Sequence, residues 1–158
     1  MSWDDRWMDM ATLVASWSKD RSRKVGAVIV DERNIVVSLG WNGFPRGIDD
    51  TIESRHQRPA KYKYTVHAEM NCILNIRNHF SLDNCKMYVT LYPCAHCAQS
   101  IIQSGIKYII APEPNWDDAT YKDDFSITRE LFYEAGITVF HVDGEHQEAA
   151  TDDELKRS

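Results

Sequence analysis

Two short segments of this 158-residue chain carry side chains suited to chemistry: His67-Ala68-Glu69 and Pro93-Cys94-Ala95-His96-Cys97. One imidazole with two thiols is a donor set that selects zinc among the common metals. A structural zinc usually takes four protein ligands, whereas a catalytic zinc takes three and keeps a position for water. Zinc lowers the pKa of such a water toward about 7. Glu69, two residues past His67, is placed to take a proton from that water and return it to a leaving group, as general base and then general acid. The chemistry that needs this set is hydrolytic attack on an amidine-like ring carbon, with ammonia leaving. Two other readings of the C-x-x-C stay beside it. One is a zinc knuckle completed by His79 or His96, although knuckles are short and this pair sits in a full α/β pattern. The other is a redox dithiol, which needs no upstream His-x-Glu. His96, between the two cysteines, is expected to point away from the metal into solvent.

Helices must position these groups. Pro93 suits a first helical turn, where its missing N–H costs nothing. Cys94 and Cys97 are three apart and share one helical face. His67 opens an earlier helix, so two helix N-termini converge on one point, and their positive dipole ends favour thiolate over thiol. Upstream, Ser2 with Asp5 makes a capping signal, and Trp7, Met10, Ala11, Val14 and Trp17 recur at helical spacing. The Val- and Ile-rich segments 25–31 and 35–41 flank the polar Asp31-Glu32-Arg33-Asn34, which reads as a hairpin turn. Residues 42–65 form a long loop with two glycines and two prolines, and a loop of that length in a small domain is usually functional. The pattern then predicts a helix over 67–78, a strand over 87–92, a helix over 94–104 ended by Gly105, and a strand over 106–111. A helix over 127–135 and a strand over 137–142 follow. The sum is an α/β class chain: a three-layer α/β/α fold with a mixed five-stranded sheet, a β1-β2 hairpin and then alternating helices and strands. Residues 1–142 are read as one domain. Residues 143–158, with six acidic side chains, are read as a poorly ordered acidic tail.

The bulk numbers set limits. Hydrophobic residues make up 43% and charged ones 27%, ordinary for a globular protein. No apolar run approaches the roughly 20 residues of a membrane span, and the start lacks a signal-peptide pattern, so the expected location is cytoplasmic with no membrane partner. A net charge of −6 argues against a nucleic-acid partner, which calls for a clustered basic face. A small phosphorylated substrate needs only a few cations. Two clusters could supply them: Lys19, Arg21, Arg23 and Lys24, then Arg55, Arg58, Lys61 and Lys63. Cys72 and Cys85 read as small buried residues.

With both motifs in hand, the chain resembles the cytidine deaminase superfamily, whose H-x-E…P-C-x-x-C signature it carries, and most closely the deoxycytidylate deaminase branch. The resemblance runs through Ser18-Lys19-Asp20, Lys24-Val25-Gly26-Ala27, Gly40-Trp41-Asn42-Gly43-Phe44-Pro45-Arg46-Gly47, Tyr62 to Asn71, Met87 to Cys94, and Gln103 to Lys107. The Asn-Gly-x-Pro-x-Gly loop is the part that points to this branch. What it implies is the conversion of dCMP and water to dUMP and ammonia, feeding dTMP synthesis. It carries zinc ligation onto His67, Cys94 and Cys97 and proton transfer onto Glu69.

By the same resemblance Asn42 contacts the deoxyribose, though in a Gly/Pro loop it also reads as a turn residue. Backbone groups at Ala68 and Pro93 read the cytosine edge, Val66 packs near the base, and Trp116 or Tyr121 lies over the substrate. Arg21, Arg23 and Lys24 are the candidates for the 5′-phosphate. Relatives are often hexamers activated by dCTP and inhibited by dTTP, with Mg²⁺ beside the effector. That places Gly43, Phe44 and Arg46 at an effector site and implies a homo-oligomer, hexamer or dimer. The chain lacks the extra cysteines that hold a second zinc in some relatives, so one zinc per chain is expected. The rivals weighed are a bifunctional dCTP/dCMP deaminase, a free cytidine deaminase, a tRNA or polynucleotide deaminase, and a non-catalytic module that would keep zinc without requiring Glu69.

Overall fold

The computed structural model describes residues 1–77 and 81–142, and the backbone of residues 146–149. Helix α1 (Trp3–Ala15) begins at Ser2, whose hydroxyl accepts the Asp5 N–H while the Asp5 carboxylate accepts the Ser2 N–H at 2.8 Å. This is the reciprocal cap that the sequence signals. Strands β1 (Gly26–Val30) and β2 (Val36–Trp41) pair antiparallel. At their turn Asp31 Oδ1 accepts the N–H groups of Arg33 and Ile35, and Asn34 takes the left-handed conformation that its short polar side chain tolerates. The long loop that follows contains a 3₁₀ turn at Glu53–His56 and a one-turn helix α2 (Lys61–Tyr64). Then come α3 (Ala68–Leu74), β3 (Lys86–Val89), α4 (Ala95–Ser104), β4 (Tyr108–Ala111), α5 (Lys122–Glu134) and β5 (Thr138–Val142).

The strand expected over 87–92 ends at Val89 and the one expected over 106–111 starts at Tyr108, and two helix boundaries also differ from the sequence reading. The helix expected over 67–78 ends at Leu74, where Asn75 turns its amide to the Leu39 carbonyl at 3.0 Å and anchors the helix end on β2; Asn78 lies outside the described residues. The helix expected from Ile127 starts at Lys122. Ile127 is exposed, and the buried face is instead Phe125, Thr128 and Phe132, preceded by Asp123 and Asp124 in the first turn, where carboxylates suit the helix dipole.

The sheet has the order β2-β1-β3-β4-β5, extended at its far edge by β6 (His146–Ala149). Pairs β3/β4 and β4/β5 are parallel and the others antiparallel, so the sheet is mixed. Strand β6 pairs with β5 through Phe140 with Ala149 and Val142 with His146, inside the segment read as an acidic tail. The rest of that tail, residues 143–145 and 150–158, lies outside the described residues. Alternation along the strands divides the core. Val28, Val30, Tyr88 and Ile110 pack under α1 against Ala11 and Val14. Ala27, Ile29, Met87, Val89, Ile109 and Val139 face the other way, toward Ala68, Cys72, Ala98, Ile101, Phe125 and Phe132 of α3, α4 and α5. Cys72 and Cys85 are buried and free. No described helix is long and apolar enough to cross a membrane.

Close contact between α3 and β2 depends on Gly40. A Cβ there would stand 2.4 Å from the Cys72 N and 2.8 Å from the Ala68 carbonyl oxygen. Gly40→Ala is expected to cost about 1–3 kcal/mol, the range for overpacking a tight contact, and to reduce retained zinc because α3 begins next to His67. Thermal unfolding together with metal content tests this; an unchanged midpoint would show that α3 does not rest on this strand.

Candidate active site

His67 and Cys94 are the N-cap residues of α3 and α4, both with extended backbone, and Cys97 lies one turn inside α4. The His67 Nδ1 is 3.4 Å from the sulfur of Cys94 and 3.4 Å from that of Cys97. One ligand atom from each of the three lies within 4.8 Å of the others. Such separations suit a single zinc bound at roughly 2.0–2.3 Å, and the one-nitrogen, two-sulfur set suits that metal. No fourth His, Cys, Asp or Glu joins this group among the described residues. His96 is exposed, and His79 lies outside the described residues.

Charge is distributed unevenly over the cluster. The neighbouring Cys97 and His67 hold the Cys94 thiol well below its ordinary range against the effect of burial, and the Cys97 N–H donates to the Cys94 sulfur at 3.5 Å. The Cys94 sulfur, helped by burial, pushes the Cys97 thiol up. The pair therefore shares one proton that a metal must displace, since the ligand form is the thiolate. The hydrogen bond with Cys94 raises His67. Glu69 is only 4% exposed, and burial raises its carboxyl. A carboxyl raised above its ordinary range is the stronger proton acceptor, which suits a general base.

Beside the cluster opens a cavity of about 660 Å³. Its lining includes Val66, Ala68 and Glu69, Leu91 and Tyr92, and Tyr121, Asp124 and Phe125. Asn42 is 6% exposed and lies in the wall; its Oδ1 accepts the Val25 N–H at 2.9 Å and its Nδ2 donates to the Arg23 carbonyl at 2.8 Å. Its carbonyl accepts the buried Ser18 hydroxyl. One side chain thus ties the end of β2 to the segment leading into β1. Gly43 pairs with Val66 through two backbone hydrogen bonds, of 3.1 and 2.8 Å. Phe44 stacks on His56 with ring centroids 4.9 Å apart, and Arg46 reaches the Asn75 amide at 3.5 Å on the surface. Gly43, Phe44 and Arg46 are not part of the cavity wall.

The phosphate candidates separate in space. Arg23 lies on the cavity rim, with its guanidinium 5.2 Å from the Tyr121 ring centroid. Arg21 points elsewhere, paired with Glu53 at 2.6 Å in an exposed ion pair, and neither it nor Lys24 lines the cavity. Trp116 is also off the wall: it lies against Tyr92, carries the Arg129 guanidinium 4.1 Å over its ring, and donates to Glu113. The Pro93 carbonyl accepts the buried Thr128 hydroxyl at 2.9 Å. The structure adds Arg58, Lys61 and Tyr62 to the rim, together with Asp20. For Arg58 and Lys61 the signal in the sequence was the second basic cluster inside a long loop; only the fold shows which of its members line the cavity. Asp124 had no such signal; it accepts the Ala95 N–H at 3.0 Å and so ties α5 to the start of α4.

Residues 1–112 match the family described as the cytidine and deoxycytidylate deaminase zinc-binding region. The chain belongs to this family. It is 41% identical over 138 residues to an uncharacterized deaminase of Aliivibrio fischeri, covering 87% of this chain and 91% of that one. It is 38% identical over 143 residues to the deoxycytidylate deaminase of Homo sapiens, covering 87% and 78%. Among solved structures, the cyanophage S-TIM5 dCMP deaminase in complex with dCMP and dUMP superposes with a TM-score of 0.70 at 24% identity, covering 87% of this chain and 95% of that one. That likeness is one of fold.

Two outcomes follow from the geometry. Cys97→Ala removes one of three ligands and is expected to abolish zinc retention through gel filtration, read by metal analysis; full retention would exclude Cys97 from the ligand set. Asp20 has an acid-dependent role. Burial alone would raise its carboxyl, but the Lys61 ammonium and the N–H groups of Arg23 and Ser22 outweigh it and hold it at about 2, below the ordinary 3.8. Because the folded value is the lower one, its stabilisation is complete well above 3.8 and is lost as the pH falls through about 2. Asp20→Asn is expected to lower stability by roughly 2 kcal/mol at pH 6 and about half that at pH 3, read from urea midpoints. An equal loss at both pH values would mean that the carboxylate charge is not the stabilising element.

Proposed function

We propose that this chain is a zinc-dependent deoxycytidylate deaminase, converting dCMP and water to dUMP and ammonia and so feeding dTMP synthesis. The observation that carries this reading is a set of three metal-ligating side chains beside a buried glutamate, in a cavity that the exposed Arg23 and Arg58 also line. Family membership and the named relatives support the same substrate.

His67, Cys94 and Cys97 would hold one zinc per chain, and when bound the metal supplies Lewis acidity that makes water acidic near neutral pH. Glu69 takes a proton from the attacking water and passes it to the ring N3 as the C4–O bond forms; the remaining hydroxyl proton goes through the same carboxylate to the amino nitrogen, whose bond to C4 breaks to release ammonia and leave the C4 carbonyl. Burial of Glu69 keeps bulk water from competing for that proton and raises its carboxyl above the ordinary range. Val66 and Ala68 line the space for the base, and Ala68 N–H and the Pro93 segment remain the candidates for reading its edge. Asn42 uses one amide N–H on the Arg23 carbonyl and has a second for a sugar hydroxyl. The 5′-phosphate meets Arg23 from one side of the rim and Arg58 from the other, and Tyr121 covers the ring.

Control by dCTP and dTTP with Mg²⁺, assembly as a homo-oligomer and a cytoplasmic location belong to the same reading. The Gly43–Val66 pairing links the loop of Phe44 and Arg46 to the cavity wall, a direct route from effector to base.

Purified zinc-loaded protein is expected to convert dCMP to dUMP, followed by ultraviolet absorbance, and to leave deoxycytidine almost untouched. Equal turnover of the two would remove phosphate recognition, and comparable turnover of dCTP would favour the bifunctional reading. Glu69→Gln is expected to keep its zinc and lose at least 10²–10⁴-fold in kcat, the scale of a general acid–base group. An active variant would overturn its role.

A further inference from the structure

Asp20 places a carboxylate in the wall of a cavity proposed to receive an anion, where it would repel the ligand unless it serves another purpose. Its side chain is 7% exposed and that of its partner Lys61 13%, with Nζ and Oδ1 2.9 Å apart. Isolating such a pair from water carries a desolvation cost, so net stability alone is a weak reason for its presence. The same oxygen, Oδ1, accepts the N–H groups of Ser22 and Arg23, each at 2.9 Å, and the Ser22 hydroxyl at 3.2 Å, while Lys61 also donates to the Ser22 hydroxyl. One carboxylate oxygen therefore shapes the turn that precedes β1 and fastens it to α2, 41 residues further along the chain.

The two fastened segments carry the two rim arginines. Arg23 is held at both ends of its backbone, its N–H by Asp20 and its carbonyl by Asn42. Arg58 precedes α2, and its guanidinium lies 5.9 Å from the Tyr62 ring centroid. Tyr62 and Tyr121 line the same cavity, and the Arg23 guanidinium stands over the Tyr121 ring. Two arginine–tyrosine pairs, Arg23 with Tyr121 and Arg58 with Tyr62, thus border the cavity together with the Asp20–Lys61 pair.

We propose that Asp20 is a positioning residue for the substrate monophosphate: by engaging Lys61 it sets the spacing of Arg23 and Arg58 so that both guanidiniums meet one phosphate. This rests on the phosphate reading given above. Lys61 then acts as part of the fastening and not as a third phosphate ligand. Holding two cations in place before the ligand arrives removes an ordering cost that binding would otherwise carry.

The test uses zinc-loaded full-length protein with two probes, dUMP and deoxyuridine, in titration calorimetry, plus dCMP kinetics. Asp20→Asn is expected to weaken dUMP binding and raise the KM for dCMP about tenfold or more, with deoxyuridine binding unaltered and kcat within about threefold. Lys61→Met cuts the same fastening from the other side and should show the same split, so a poorly folding Asp20 variant does not remove the test. Tighter or unchanged dUMP binding in Asp20→Asn overturns the proposal, since it would mean that Asp20 restrains Lys61 from the phosphate or does nothing for it. A kcat falling in step with rising KM, or deoxyuridine affinity falling alongside dUMP, also overturns it, as either marks a general structural role. Wild-type protein that binds dUMP no better than deoxyuridine would instead defeat the phosphate reading itself, and the proposal with it.

Discussion

The ligand cluster exists only because α3 and α4 dock on the same face of the sheet with their first residues turned toward one point. His67 and Cys94 are helix caps, so their positions are set by where the helices begin, and not by the loops that precede them. Docking that close needs small residues at the contact. Ala68 and Cys72 on α3, Ala98 on α4 and Gly40 beneath α3 leave room for backbone against backbone. The metal would close this arrangement covalently, which makes its binding free energy part of folding. Thr128 on α5 holds the Pro93 carbonyl and Asp124 holds the Ala95 N–H, so the third helix of this layer fixes the start of α4 from outside.

Within that frame the electrostatics follow from burial. Burial raises the Glu69 carboxyl, and burial with the neighbouring Cys94 raises the Cys97 thiol. Perturbed groups of this kind cluster at functional sites. Asn42 shows the same economy in a neutral group. Its amide organises the segment into β1 and still borders the cavity, so a turn residue and a substrate contact are compatible roles of one side chain.

The match to the family ends at residue 112, yet the cavity does not. Tyr121, Asp124 and Phe125, all from the segment that begins α5, complete its wall. The three metal-ligating side chains and Glu69 therefore sit in the matched part, while part of the cavity wall comes from beyond it.

The metal ligands, the buried glutamate and the layered α/β fold were legible from residue types and spacing, because a three-ligand set with a nearby carboxylate has few other uses and because strands and helices alternate with clear periodicity. The start of α5 was misplaced, since Ile127 looked like the first core residue and is exposed. The sixth strand at 146–149 gave no signal, because an edge strand is defined by the neighbour it pairs with and not by its own composition. Among the basic residues, sequence named two clusters but could not rank their members. Arg21 turned to Glu53, Lys24 stayed off the wall, and Arg58 and Lys61 arrived at the rim beside Arg23 from 35 or more positions away. Local sequence determines which groups can ligate a metal or move a proton. Which cations meet across a cavity is settled by long-range contacts such as Asp20 with Lys61, and those exist only once the chain has folded.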